Sequence, residues 1–103
     1  MASSKEFRDF ILEQLRELED ISFRPMMGEF MLYYNGILFG GIYDDRFLIK
    51  ETYSNKGYGL KKEIPYEHGR PMYMVENLEE PEYLRELIET TCHDLVNQKR
   101  GSK

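Results

Sequence analysis

Residues 24–50, RPMMGEFMLYYNGILFGGIYDDRFLIK, decide how this chain folds. Phe30, Leu32 and Tyr34 alternate with Met31 and Tyr33. A strand with that alternation carries bulky apolar groups on one face and stays largely hydrophobic on the other, the pattern of a sheet covered on both sides. Asn35-Gly36 follows at once, and both residues tolerate the positive φ of a two-residue type I′ turn, so the chain is predicted to reverse there. Residues 37–43 then return as a second strand, Asp44-Asp45 supply the next turn, and Phe47, Leu48 and Ile49 open a third strand closed by Lys50. Gly40-Gly41 inside the middle strand packs poorly. Glycine in such a place marks a bulge or a close approach by another group, which leaves a ligand approach site open as an alternative.

Upstream, Ile21 to Met27 alternates enough to be a strand. Pro25 has no N–H to give a central ladder, so this strand belongs at an edge or at a bulge. Gly28 separates it from the meander by a tight bend or a kink. Before it, Ser3 to Glu6 spell the capping box S-x-x-E and predict a helix start. Phe7, Phe10, Ile11, Leu15 and Leu18 form one apolar stripe, with Arg8, Asp9, Glu13, Arg16 and Glu17 on the opposite side. Each fully buried stripe residue contributes about 1.5–3 kcal/mol before entropy is subtracted, more than the exposed charge pairs can.

Downstream, Glu51 to Glu63 shows no sustained periodicity and reads as a mobile connection. Ile64 to Tyr66 is predicted as a short strand, His68-Gly69 as a turn, and Arg70 to Glu76 as a last strand with Met72 and Met74 opposite Tyr73 and Val75. The closing helix has Pro81 at its first position, Glu79, Glu80 and Glu82 near its positive end, Lys99 and Arg100 near its negative end, and Gly101 beyond. Leu84, Leu87, Ile88, Thr91, Cys92 and Leu95 make its inward stripe. The tail QKRGSK reads as frayed. The expected fold is thus α+β, one domain over residues 1–103: an antiparallel meander of about four to six strands flanked by an N-terminal and a C-terminal helix.

With 103 residues, 41% of them hydrophobic and 14% aromatic, a single core suffices without disulfides or metals. The net charge of -5 argues against a broad footprint for phosphate backbones. A lone cysteine, Cys92, cannot form an internal disulfide, and neither a signal-peptide pattern nor a run long enough to span a membrane is visible, so a cytoplasmic location is expected.

Catalytic signals are weak. Cys92-His93-Asp94 is the one local metal candidate, but consecutive helical residues point about 100° apart and cannot face one ion. No GxSxG elbow or thiol-protease signature accompanies the serines, Cys92, His68 or His93. No cofactor is implied. Arg24 stands among apolar residues, and a buried guanidinium needs partners for five donors. It is expected either to pair with Glu29, Asp44 or Asp45, or to hold an anion or partner carboxylate with help from Tyr34 and Lys50. Lys56, Tyr58, Lys61 and Lys62, together with Tyr53, mix basic and aromatic groups that suit stacking on bases and contacting phosphate.

Arg24, Met26, Gly28, Leu32, Tyr33, Gly36, Phe39, Asp45, Leu48 and Lys50 occur in the order R-x-M-x-G, L-Y, x-x-G, F, D, L-x-K. This pattern resembles the N-terminal domain of the TfoX family, the regulators of competence genes, and continues more faintly through Pro71, Met72, Tyr73 and the closing helix. The resemblance implies an α+β domain with a helix at each end and a regulatory role in transcription exerted through protein contacts, with no catalytic residue to carry over. The chain departs from the pattern at Met27, where the family commonly has Phe, and at Met31, where it has Gly. TfoX regulators also carry a second, C-terminal domain for which this chain has no room, so a stand-alone copy acting on another pathway is a further expectation. The leading expectation is a homodimeric, non-enzymatic interaction module whose uncovered sheet face or edge meets a partner protein. A nucleic-acid contact through the lysine and tyrosine loop, or a small-ligand pocket near Arg24 and Gly40-Gly41, are the alternatives.

Overall fold

The computed structural model describes the backbone of residues 3–101 and the side chains of residues 3–97. Helix α1 (Lys5–Gln14) leads into strands β1 (Ile21–Met26), β2 (Glu29–Tyr34), β3 (Ile37–Tyr43) and β4 (Arg46–Ile49). A 3₁₀ turn (Ser54–Tyr58), strands β5 (Lys61–Glu63) and β6 (Met72–Met74), and helix α2 (Pro81–Gly101) follow. All six strands form one antiparallel sheet in the order β1-β2-β3-β4-β6-β5. The architecture is the expected α+β meander with a helix from each end, and β1 is an edge strand, where Pro25 withholds no bond from a neighbour. No described helix is long and apolar enough to cross a membrane.

Three two-residue turns join the first four strands. Their central pairs, Met27-Gly28, Asn35-Gly36 and Asp44-Asp45, all have positive φ, between 51° and 85°, as type I′ turns require. The choice between bend and kink at Gly28 is thereby settled as a tight reversal. Met27 has no side-chain polar group to favour the left-handed region and points almost wholly into solvent.

Strand parity assigns the faces. Phe23, Leu32 and Ile49 lie in one cross-strand row, and Phe30, Ile42 and Phe47 in the next. Both rows join Ile11 and Leu15 from the α1 segment and Leu84, Leu87 and Ile88 of α2 in one buried core. Both helices therefore cover the same face. The expectation of cover on both sides is met only in part: no helix packs across the second face of β2, which is bordered by residues 64–71 and by Leu95 of α2. That face holds Met31, Leu48 and Met74 in one row, with Met26, Tyr43 and Met72 nearby.

Between β2 and β3 the register slips by one, from Leu32↔Gly40 to Tyr33↔Leu38, which leaves Phe39 as the extra residue of a bulge. Phe39 is fully buried in the core, and its carbonyl accepts from Lys50 N–H at 2.8 Å. Gly40 has no room for a side chain. A Cβ there would collide with the Leu48 carbonyl oxygen and lie 2.8 Å from Ile49 Cα. A Cβ on Gly41 would lie 2.5 Å from the Phe30 carbonyl and 2.9 Å from the Tyr43 ring, which closes over it. The glycine pair thus serves a bulge and two close approaches, as one of its alternative readings had it.

Several local expectations are displaced. The helix cap is Ser4, whose Oγ accepts from Phe7 N–H at 3.0 Å, and Ser3 is occupied elsewhere. Its Oγ donates to Glu29 Oε1 at 2.6 Å and accepts from Asp45 N–H at 2.9 Å, and its N–H donates to the Gly28 carbonyl at 3.0 Å. Glu29 also accepts from Asp44 N–H at 3.0 Å, so the N-terminal segment ties the β1-β2 turn to the β3-β4 turn. Arg8 does not face solvent with the other charges of α1. Its guanidinium stacks 4.7 Å from the Phe23 ring and 5.1 Å from the Phe30 ring, contacts that contribute about 0.5–2 kcal/mol in such partly buried settings. The strand placed at Ile64 to Tyr66 is instead Lys61–Glu63, and the last strand is the shorter Met72–Met74. Helical backbone continues through Gly101, and the end of the tail read as frayed, residues 102–103, lies outside the described residues.

Gly40→Ala should destabilise the fold by about 3 kcal/mol or more, because backbone atoms rather than flexible side chains obstruct the methyl group. Gly57→Ala is the control, since a Cβ there meets nothing within 4 Å, and it should be neutral or mildly stabilising. Urea unfolding of both variants checks the pair, and equal stabilities would contradict the bulge geometry.

Candidate functional site

The helix-free face is built mainly from thioethers. Met26, Met31, Met72 and Met74 alternate onto it from β1, β2 and β6, and all four are half-buried. Beneath them Leu48 is fully buried and Tyr43 nearly so. Burial pushes the Tyr43 phenol pKa up, and Tyr66 and Glu29 act in the same direction. Over this floor runs the segment of residues 64–71 that joins β5 to β6. The space between is a groove of about 890 Å³, floored by Met26, Met31, Leu38, Tyr43 and Met72. Pro65, Tyr66 and Arg70 wall one side, and Lys50, Glu51 and Leu95 reach it from another.

Arg46 positions the wall. Its Nε donates to the Tyr43 carbonyl at 3.1 Å, Nη1 to Glu63 Oε1 at 3.2 Å and Nη2 to the Pro65 carbonyl at 3.3 Å. One guanidinium thereby joins the start of β4, the end of β5 and the first residues of the wall, using the planar donor geometry that a lysine lacks. Tyr66 packs on Tyr43 with ring centroids 6.0 Å apart.

The rear of the groove is fixed from the core side. Residues 51–63 are not a mobile connection, because Asn55 is fully buried and saturated with hydrogen bonds. Its Oδ1 accepts from Thr52 N–H at 2.9 Å, and its Nδ2 donates to the Lys50 carbonyl at 2.9 Å and to Thr91 Oγ1 at 3.0 Å. Ser54 adds two bonds to the Asp94 carboxylate, from N–H at 2.7 Å and from Oγ at 3.0 Å. Desolvation works to raise the Asp94 pKa, but bonds from Ser54 and Thr52 outweigh it and hold the carboxyl below its usual range. Asp94 is thus engaged with the 3₁₀ turn. Cys92 is buried in the core, and burial pushes its thiol up to about 12, so it is no nucleophile at neutral pH. Among the described residues no group of three or more His, Cys, Asp or Glu is placed to hold a metal ion.

The residues proposed from sequence as one anion site do not meet. Lys50 reaches the groove. Arg24 shares its sheet face but is exposed at the β1 edge, with its guanidinium 6.0 Å from the Tyr33 ring. Of its three expected carboxylate partners none pairs with it, and two are engaged elsewhere, Glu29 with Ser3 and Asp44 N–H, and Asp45 with Ser4 N–H at 2.8 Å. Arg24 needs no buried partner because it is not buried. Tyr34 lies on the opposite, helix-covered face, where burial raises its pKa with help from Glu89 and Cys92 of α2. The basic and aromatic group is likewise dispersed. Lys61 sits 3.5 Å from Glu63 and Lys62 3.7 Å from Glu51, Tyr58 packs against Tyr83 at 6.0 Å, and Lys56 is exposed by itself on the 3₁₀ turn. Sequence reasoning passed over Arg46, Asn55 and the four methionines taken together. For the methionines the signal was available only as parity: once the turn at Met27-Gly28 pairs Met26 with Glu29, Arg24 and Met31 fall opposite one another on the second face.

The sequence matches no protein-family model and no curated protein.

Removing the Asn55 plug should loosen the groove from behind. Asn55→Ala leaves Thr52 N–H, the Lys50 carbonyl and the Thr91 hydroxyl short of partners in a buried place, at a cost of about 2–4 kcal/mol. Hydrogen exchange of the Thr52 amide should accelerate with it, and a variant as stable and as protected as the parent would show the plug to be dispensable.

Proposed function

We propose that this protein is a small non-enzymatic interaction module of the kind its resemblance to the TfoX N-terminal domain suggests. In this reading it works in the cytoplasm and uses the helix-free face of its sheet to hold a partner protein. The observation that carries the reading is the set of three half-buried methionines, Met26, Met31 and Met72, flooring a groove on that face, with Met74 beside them on the same side of the sheet. Methionine is flexible and polarisable, adapts to irregular apolar partners, and is over-used at binding surfaces. An apolar floor with charged groups at its margin is also how protein interfaces are arranged, and it differs from the convergent polar groups a reaction centre needs.

Self-association belongs to the same reading. Strand β1 ends the sheet with an uncovered edge of six residues, and Pro25 limits but does not abolish its capacity to pair. A two-fold pairing there would give a homodimer and leave both grooves free. Regulation of transcription, of competence genes in the family resembled, is the process this reading assigns, exerted through protein contacts rather than direct binding of nucleic acid. The dispersal of Lys56, Tyr58, Lys61 and Lys62 supports that choice.

Light scattering after size exclusion should give a dimer at micromolar concentration, and a strict monomer would remove self-association from the account. Affinity capture with crosslinking tests the groove. Capture should fall about tenfold in a Tyr66→Ala, Met72→Gln variant that melts like the parent, as expected for loss of central apolar anchors. Undiminished capture by that variant would sink the assignment of the groove.

A further inference from the structure

We infer that the groove takes an acidic amphipathic segment of a partner protein, with apolar side chains seated on the methionine floor and Asp or Glu side chains meeting the margin. This deepens the proposed function and rests on it. Charge at the margin selects this occupant. The chain is net acidic at -5, yet three of the five cations that make no ion pair among the described residues, Arg24, Lys50 and Arg70, lie on or beside this one face, while Lys5 and Lys56 do not line it. Arg8, Arg16, Arg46, Lys61, Lys62 and Arg85 all have carboxylates within 4 Å. Arg24, Lys50 and Arg70 do not, and Lys50 and Arg70 line the groove while Arg24 stands on the same sheet face. Glu51 is the one carboxylate lining the groove, and it already faces Lys62 at 3.7 Å.

The same charges decide against a second copy of the face as the occupant. Two grooves apposed would set Lys50 and Arg70 of one against those of the other, and like charges brought together at an interface are costly. The cleft between the α1 segment and the start of α2 shows the contrast, since five glutamates, Glu17, Glu80, Glu82, Glu86 and Glu89, line it against two arginines, Arg16 and Arg85. Complementary charge at the margin would speed encounter and fix register, while the methionines and Tyr66 would supply the desolvated contact.

A random 12-residue display library selected on the full chain provides the test. Selection should enrich peptides of net negative charge carrying at least two large apolar residues, and a synthetic copy of the best should weaken about tenfold in an Arg70→Glu, Lys50→Glu variant. Arg70 is exposed, so Arg70→Glu alone keeps the test readable if the double variant folds poorly. Raising salt from 50 to 500 mM should weaken binding to the parent and have little effect on the Arg70→Glu variant. Enrichment of basic or neutral apolar peptides that compete at Met72 would overturn the acidic occupant while leaving the interaction groove standing. No enrichment at all, or binding indifferent to both charge reversal and Met72→Gln, would overturn the acidic occupant together with the groove.

Discussion

The bulge at Phe39 is the constraint on which the two faces of this sheet depend. One extra residue in β3 sends both Phe39 and Gly40 toward the helices, and only one of them can carry a side chain. Phe39 takes the volume, and Gly40 lets β3 approach β4 closely enough for the ladder to resume at Lys50 N–H. On the far side Gly41 is covered by its own neighbour, Tyr43, at 2.9 Å. The core beneath α1 and α2 is therefore filled with aromatic and branched side chains, while the outer face is shallow beside Tyr43 and floored by unbranched thioethers. A regular pairing would turn the side chains from Leu38 back to Ile37 to opposite faces and remove that division.

The groove inherits its shape from three anchors that lie outside it or at its margin. Arg46 holds the wall of residues 64–71 through carbonyls and Glu63, Asn55 holds the backbone of Lys50 from the core side, and Ser3 locks the turns at the far end of the meander. Arg46 and Ser3 each meet a backbone group distant in sequence, while Asn55 combines the nearby backbone of Lys50 and Thr52 with the distant Thr91 hydroxyl. Arrangements of this kind specify one geometry, because leaving any member unpaired in a buried place costs more than the bond itself contributes. The groove is in consequence a preformed feature, and binding need not meet the entropic cost of ordering its walls.

What could be read in the sequence was what depends on neighbours in the chain. The turn at Asn35-Gly36 rests on the φ preferences of two adjacent residues, the stripes of both helices on a 3.6-residue period, and the edge position of β1 on one missing N–H at Pro25. What escaped depends on distant partners. Ser3 and Ser4 are equally good caps by composition, and only Glu29 and Asp45, folded back beside them, decide that Ser3 is drawn away. Residues 51–63 looked unstructured because their order comes from one buried amide meeting Thr91 of α2, which leaves no periodic trace. The apolar neighbours of Arg24 suggest burial, yet an edge strand exposes half of what it carries. The candidate site suffered most, since Arg24, Tyr34 and Lys50 were grouped by chemistry before strand parity could separate Tyr34 from the others.

The proposed interaction lies on the face that the helices leave free, and it requires that Met31 and Met74 point away from α2. Methionine methyl-labelled protein studied by NOESY with a soluble spin agent measures this directly. The account predicts contacts from the Met74 methyl to Leu48 and from the Met31 methyl to Gly41, with both signals broadened by the agent and no contact to Leu84, Leu87 or Ile88. Methyl contacts from Met31 or Met74 to those three residues of α2, or signals shielded from the agent, would contradict it.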